Sequence, residues 1–167
     1  MRRVLAVLVE NEPGVLARIA GLFSGRNYNI ESISASPTQD SSITHITITT
    51  MGDEWVFEQI VKQLRKLVCV IKVTDFADIS AVMRSMVFIK VNTDESKRGE
   101  VLRIAEIFRC KVIDVSASDL TLEVTGDHSK LQAIVQLLQN FGIKEMAFSG
   151  TVAMRRSMQS NAHEEGQ

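Results

Sequence analysis

The stretch Glu10-Asn11-Glu12-Pro13-Gly14-Val15-Leu16 holds the residue types and spacing best suited to chemistry on a small molecule. It joins an apolar run at 4–9 to a segment with helical periodicity. A helix start leaves backbone N–H groups without acceptors, and its dipole adds partial positive charge, so a carboxylate is favoured there. Gly14 has no side chain to obstruct close approach. Asn11 offers a donor and an acceptor on one short side chain, matching a ligand that carries both an ammonium and a carboxylate. A purely structural cap fits the same residues, with Asn11 satisfying the turn and Pro13 in the first helical turn. Spacing alone favours that cap.

Other chemistry is sparse. His45, His128 and His163 share no metal-ligand spacing and read as surface or edge residues. Asp53 and Asp127 each precede a helical pattern and are better explained as helix caps than as paired catalytic carboxylates. No GxGxxG follows a strand, and no P-loop lysine pattern occurs. No catalytic residue and no metal site are therefore expected. Cys69 and Cys110 lie far apart and read as reduced, buried, small apolar residues of a cytoplasmic protein. A net charge of −1 leaves no basic surface for nucleic acid or an anionic membrane. No stretch approaches the length of a transmembrane helix.

The elements that would position the turn follow from periodicity. The continuous apolar run 4–9 predicts a strand buried on both faces. Leu16, Ile19, Ala20 and Phe23, widened by Val15 and Leu22, predict a helix, and a strand at 28–36 follows Gly25. Residues 43–51 alternate as a half-buried strand. Phe57, Ile60, Val61 and Leu64 form the face of a second helix, and 68–73 is a last strand. The order β-α-β-β-α-β is that of a ferredoxin-like unit, complete by residue 76. It then repeats: strands at 86–91, 112–115, 120–125 and 143–153, with helix faces at Val101, Leu102, Ala105 and Phe108 and at Leu131, Ile134, Val135 and Leu138. Arg18-Ile19-Ala20-Gly21-Leu22-Phe23 resembles Arg103-Ile104-Ala105-Glu106-Ile107-Phe108, which supports duplication. The expected class is α+β, with two ferredoxin-like domains in tandem: 1–76, a linker at 77–83, 84–154, and a polar, mobile tail at 155–167. An RNA-binding domain has the same order. It would need aromatics and basic residues on the central strand, and 42–51 has none.

The first unit resembles the ACT domain, an amino-acid-binding module, and is more similar still to the acetolactate synthase small-subunit family. The residues that carry the likeness are Met1 to Leu5, the turn at 10–16, Gly21-Leu22-Phe23-Ser24 and the run Tyr28-Asn29-Ile30-Glu31-Ser32-Ile33. Glu106-Ile107-Phe108-Arg109 and Val112-Ile113-Asp114-Val115 extend it, so that it spans residues 1–155. The resemblance implies a regulatory subunit that is no enzyme by itself. Such a chain activates a large catalytic subunit and confers feedback inhibition by valine or a related branched-chain amino acid. Thiamine diphosphate, Mg and FAD would belong to the large subunit, with no cofactor on this chain. ACT domains pair side by side as a homodimer, which implies an effector site made by Asn11, Gly14, Val15 and Leu16 of one chain and Asn29 and Ile30 of the other. A free-standing ACT sensor of another enzyme is the alternative. The second unit lacks the Asn-Glu-Pro-Gly turn; its strand-to-helix link, read as 92–99, is longer and charged. A second effector of the same kind is not expected there.

Overall fold

The structure is a computed structural model that describes residues 1–157. The first unit runs β1 (Arg2–Glu10), α1 (Val15–Ser24), β2 (Ile30–Pro37), β3 (Ile43–Met51), α2 (Glu54–Leu64) and β4 (Val70–Asp75). Its sheet has the antiparallel order β2-β3-β1-β4, which is the ferredoxin-like arrangement. The second unit runs β5 (Ala81–Asn92), α3 (Glu95–Ile107), β6 (Lys111–Val115), β7 (Asp119–Gly126), α4 (His128–Gln139), β8 (Ile143–Phe148) and β9 (Val152–Arg155). Its order is β6-β7-β5-β8, and β9 also pairs with β5. The α+β class and the repeated element order are as the periodicity predicts.

Each unit has its own aliphatic core between sheet and helices. In the first, Leu5, Val7 and Val9 of β1 meet Ile19 and Phe23 of α1, Ile46 and Ile48 of β3, and Phe57, Ile60 and Leu64 of α2. In the second, Val87, Ile89 and Val91 of β5 meet Val101, Leu122, Ile134 and their neighbours. The opposite face of β1 is covered too, as its unbroken apolar run requires. Val4 and Ala6 pack with Phe76, Ala153, Ile79, Ala81 and Met83, so the β5–β9 pair lies over the first sheet. At Gly150 the approach is close: a Cβ there would stand 2.7 Å from the Ile33 carbonyl oxygen of β2.

Several boundaries differ from expectation, each for a local reason. β5 begins at Ala81, within the stretch read as a link, because Ala81 to Arg84 find a partner in β9. The single closing strand read at 143–153 is two strands, β8 and β9, parted around Gly150. The link read at 92–99 is mostly helix. Asp94 caps α3 by accepting from the Lys97 N–H at 2.9 Å, and Gly99 lies inside the helix. The buried stripe of α1 is Val15, Ile19, Leu22 and Phe23, while Leu16 is 46% exposed. Leu102 of α3 is likewise exposed, leaving Val101 and Ala105 as that helix's buried residues. Of the tail, Arg155 belongs to β9 and residues from 158 lie outside the described ones.

A helix start without a cap

The turn between β1 and α1 is held from outside rather than by its own side chains. The Asn11 N–H donates to the Ser42 carbonyl at 2.7 Å, and its Nδ2 donates to the Ser41 carbonyl at 2.8 Å. Asn11 therefore ties β1 to the β2–β3 loop and does not cap the helix, contrary to the simplest structural account of its spacing. Its Oδ1 accepts from no donor among the described residues. Pro13 lies just outside the helix instead of in its first turn, and Gly14 is the N-cap. Gly14 has φ 84°, a left-handed conformation that costs a residue with a Cβ about 1–2 kcal/mol.

Among the described residues, this helix start differs from the other three. Asp53, Asp94 and Asp127 each accept a backbone N–H with a side-chain oxygen, as read for Asp53 and Asp127, whereas Gly14 provides no side-chain cap. Val15 N–H makes a long contact of 3.4 Å to the Glu12 carbonyl, and Arg18 N–H bonds the Gly14 carbonyl at 3.0 Å. The N–H groups of Leu16 and Ala17, between them, donate to no acceptor among the described residues. No acidic residue stands in the first turn. The start of α1 thus offers two free donors and uncompensated dipole charge, with the exposed Leu16 side chain beside them. Val15, by contrast, is buried in the core and can shape the site only from beneath.

Asn29 and Ile30 lie at the other end of the unit. Ile30 is opposite Thr50, which is opposite Arg3, whereas Glu10 is opposite Ile43. α1 alone separates the two ends by about 15 Å. Within one chain, then, Asn11, Gly14 and Leu16 come together and Asn29 and Ile30 do not join them. The Asn29 end has its own shape. Ala20, Phe23, Asn27, Tyr28, Asn29 and Ile30 line an open cavity of about 420 Å³. Phe23 and Tyr28 stack edge to face at 6.3 Å, and the Thr50 hydroxyl donates to the Asn29 carbonyl at 2.5 Å. Ser41 and Ser42 hold Asn11 at one end of the unit and Thr50 holds Asn29 at the other, and strand pairing brings them there.

Elsewhere the titratable groups serve structure. Burial pushes the Cys110 thiol up to about 11, against the pull of Lys130, so it stays protonated near neutral pH. Cys69 is buried and free. Arg3 joins Glu54 and Asp75 and lies 4.3 Å above the Phe57 ring. Among the described residues no group of His, Cys, Asp and Glu is arranged to hold a metal ion, and no helix is long and apolar enough to cross a membrane.

A tandem pair of ferredoxin-like units, the first with an uncapped glycine turn, is the architecture expected of an ACT-type protein. Comparison with known proteins makes this specific. Residues 5–72 match the family described as the AHAS small subunit-like ACT domain, and residues 84–157 match that described as the small subunit of acetolactate synthase. The chain is 52% identical over 158 residues to the acetolactate synthase small subunit of Aquifex aeolicus, covering 94% of this chain and 82% of the relative. It is 42% identical to that of Mycolicibacterium smegmatis, covering 91% and 89% of the two chains. The crystal structure of the small subunit from Thermotoga maritima aligns with a TM-score of 0.82 at 39% identity, covering 94% and 98%. The chain belongs to the acetolactate synthase small-subunit family. It is a regulatory subunit and not an enzyme by itself, and a large catalytic subunit is its implied partner.

Proposed function

We propose that this subunit senses a branched-chain amino acid, valine or a close relative, and transmits feedback inhibition to the large subunit that it also activates. The observation that carries this reading is the uncapped start of α1, with free N–H groups at Leu16 and Ala17 beneath a left-handed Gly14. The effector carboxylate meets those groups and its ammonium meets Asn11 Oδ1. Its aliphatic side chain rests on Leu16, with Val15 below. Asn29 and Ile30 of a second copy close the site. β2 is an edge strand, and antiparallel pairing of two β2 strands sets the Asn29 end of one chain beside the Asn11 end of the other. Thiamine diphosphate, Mg and FAD are assigned to the large subunit, and the assembly to the cytoplasm.

The two-chain site has a distinctive test. Calorimetry with valine, leucine and isoleucine should show binding to wild type and none to Asn11→Ala or Asn29→Ala homodimers. A mixed dimer of the two variants carries one doubly altered site and one intact site, so it should recover half the wild-type stoichiometry at wild-type affinity. Absence of binding to wild type, together with large-subunit activity unchanged by this chain, would sink the reading. Binding to wild type without recovery in the mixed dimer would confine the site to a single chain.

A further inference from the structure

The two sheets differ in what covers the face turned away from the helices. In the first, Val4 and Ala6 of the central strand β1 are buried, because the β5–β9 pair lies over them. In the second, β5 holds the same central place, yet its Phe88 is 37% exposed. Leu120, Leu122 and Val124 of β7 point into the core, so Thr121 and Glu123 lie on the open face. Register carries that face across the sheet. Asp114 of β6 is opposite Thr121, Thr121 is opposite Lys90 of β5, and Lys90 is opposite Glu145 of β8. One row therefore reads carboxylate, hydroxyl, ammonium, carboxylate from edge to edge. The row beside it is Lys111, Glu123, Phe88 and Ala147.

The polar groups of the charged row are incompletely paired. Asp114 forms no ion pair among the described residues, and Lys90 reaches Glu145 only at 3.5 Å. The Thr121 Oγ1 is closed to solvent but has no hydrogen-bond partner, where a buried hydroxyl ordinarily finds one. These groups line an open cavity of about 290 Å³ together with Phe88, Ile113 and Ala147. Farther along β5, Val82 falls on the same side as Phe88 and is opposite Met154 of β9; the Met154 side is 72% exposed. Apolar surface bordered by charges without close partners is the composition of a contact surface.

We propose that this open face docks the large catalytic subunit, which presents cations to Asp114 and Glu145 and an acceptor between them to Lys90 and Thr121. β6 and β8 are three strand spacings apart, so the two cations stand about 14 Å from each other. A second copy of this chain does not fit the row. A two-fold axis along the row sets each residue on its own copy, like charge on like. An axis along the strands at the middle of the row sets Asp114 on Glu145, carboxylate on carboxylate. Both arrangements are repulsive, so the row selects a partner of different sequence. For a small subunit of this family that partner is the large subunit. The start of α1 and the β2 edge stay free for the effector and for self-pairing. The proposal rests on the activating role read above and not on the effector site.

The test uses the full chain without effector and the purified large subunit, with complex formation followed by sedimentation and activity measured alongside. Asp114→Lys and Glu145→Lys should each weaken the complex at least tenfold and raise the half-activating concentration to match. Asp114→Asn should weaken it less and make it less sensitive to salt. Glu106→Lys, the same charge change on the exposed side of α3, should bind as wild type does. Asp114 and Glu145 are exposed, and matching far-UV circular dichroism and melting curves verify that their variants fold. Any that does not fold is replaced by Asp114→Ala or Glu145→Gln. Every variant should keep wild-type effector affinity and self-association. Wild-type affinity for the large subunit in either lysine variant overturns the proposal. So does loss of self-association in them, which would give the face to a second copy. A wild-type chain that forms no complex overturns the activating role as well, whereas equal binding by wild type and variants overturns the docking face alone.

Discussion

Gly14 is where backbone geometry and ligand chemistry can be separated by substitution. At φ 84° an alanine costs about 1–2 kcal/mol from its Cβ alone. A built Cβ meets no atom within 4 Å, so steric conflict adds nothing inside the chain. For a chain of this length, that cost lowers the melting temperature by about 2–8 °C. Asparagine tolerates the left-handed region better than other residues with a side chain, so Gly14→Asn should be the least destabilising replacement. Gly14→Asp brings a carboxylate to the donors proposed to hold the effector carboxylate. Two unit charges about 4 Å apart repel by about 1 kcal/mol in water and about 4 kcal/mol at a protein surface, equivalent to ~5-fold to ~1,000-fold in affinity. Scanning calorimetry and effector titration on wild type and the three variants should therefore give two different orders. Stability should follow wild type, Asn, Ala, whereas binding should fail specifically for Asp and recover in part at high salt. An Ala variant as stable as wild type would refute the backbone argument. Equal effector affinity for the Asn and Asp variants would refute the carboxylate argument.

Two further predictions concern the framework. Arg3→Ala removes a cation that is bonded to Glu54 and Asp75 and stacked on Phe57, and should cost about 1–3 kcal/mol at neutral pH in a denaturant titration. The hydrogen bond from Arg3 holds the Glu54 carboxyl below its ordinary value of 4.5, so its stabilisation is present above that value and is lost as pH falls through the lower folded one. The Arg3→Ala variant should lack that part of the acid-side loss. Gly150→Ala sets a Cβ 2.7 Å from the Ile33 carbonyl oxygen and 2.9 Å from the Ser34 Cβ. Backbone cannot give way as a flexible side chain can, so the variant should lose about 1–3 kcal/mol in thermal unfolding, with faster amide exchange in β2 and β9. Unchanged exchange there would mean that the two units are not held together at this point.

The repeated element order was legible because hydrophobic period survives without tertiary context: Leu120, Leu122 and Val124 alternate as a strand must, and Leu131, Ile134 and Leu138 recur as a helix must. What escaped depends on contacts distant in sequence. Ala81 to Met83 look like a link until β9 offers them a ladder, and Asp94 looks like loop charge until its carboxylate is seen to cap α3. At the candidate site, the residue types of the turn were visible, and so was the suitability of a helix start for an anion. That Asn11 spends its amide N–H on the Ser41 carbonyl was not, because the β2–β3 loop reaches it only through the register of β1 on β3. The exposure of Leu16 was hidden as well: helical spacing allows it on the apolar stripe, and packing puts Val15 there instead.

The contrast between α1 and α3 bears on why the second unit need not bind what the first is proposed to bind. Both helices follow the first strand of a ferredoxin-like unit, but α3 begins with a carboxylate already in place. Asp94 accepts from the Lys97 N–H and from the Ser96 hydroxyl, and the latter bond in particular holds its carboxyl below the usual range. An incoming ligand carboxylate would have to displace that group and face its charge. Arg98 is committed as well, donating to the Ser116 and Ala117 carbonyls at 2.6 and 3.0 Å. Replacing the cap by glycine would expose the donors without supplying the rest, since no asparagine stands three residues before Asp94 as Asn11 stands three before Gly14; that position is Val91, buried in the core. One unit therefore leaves its helix start open and the other fills it from within. The two units share a scaffold, and the residues at a single turn decide which helix start is left without a side-chain cap.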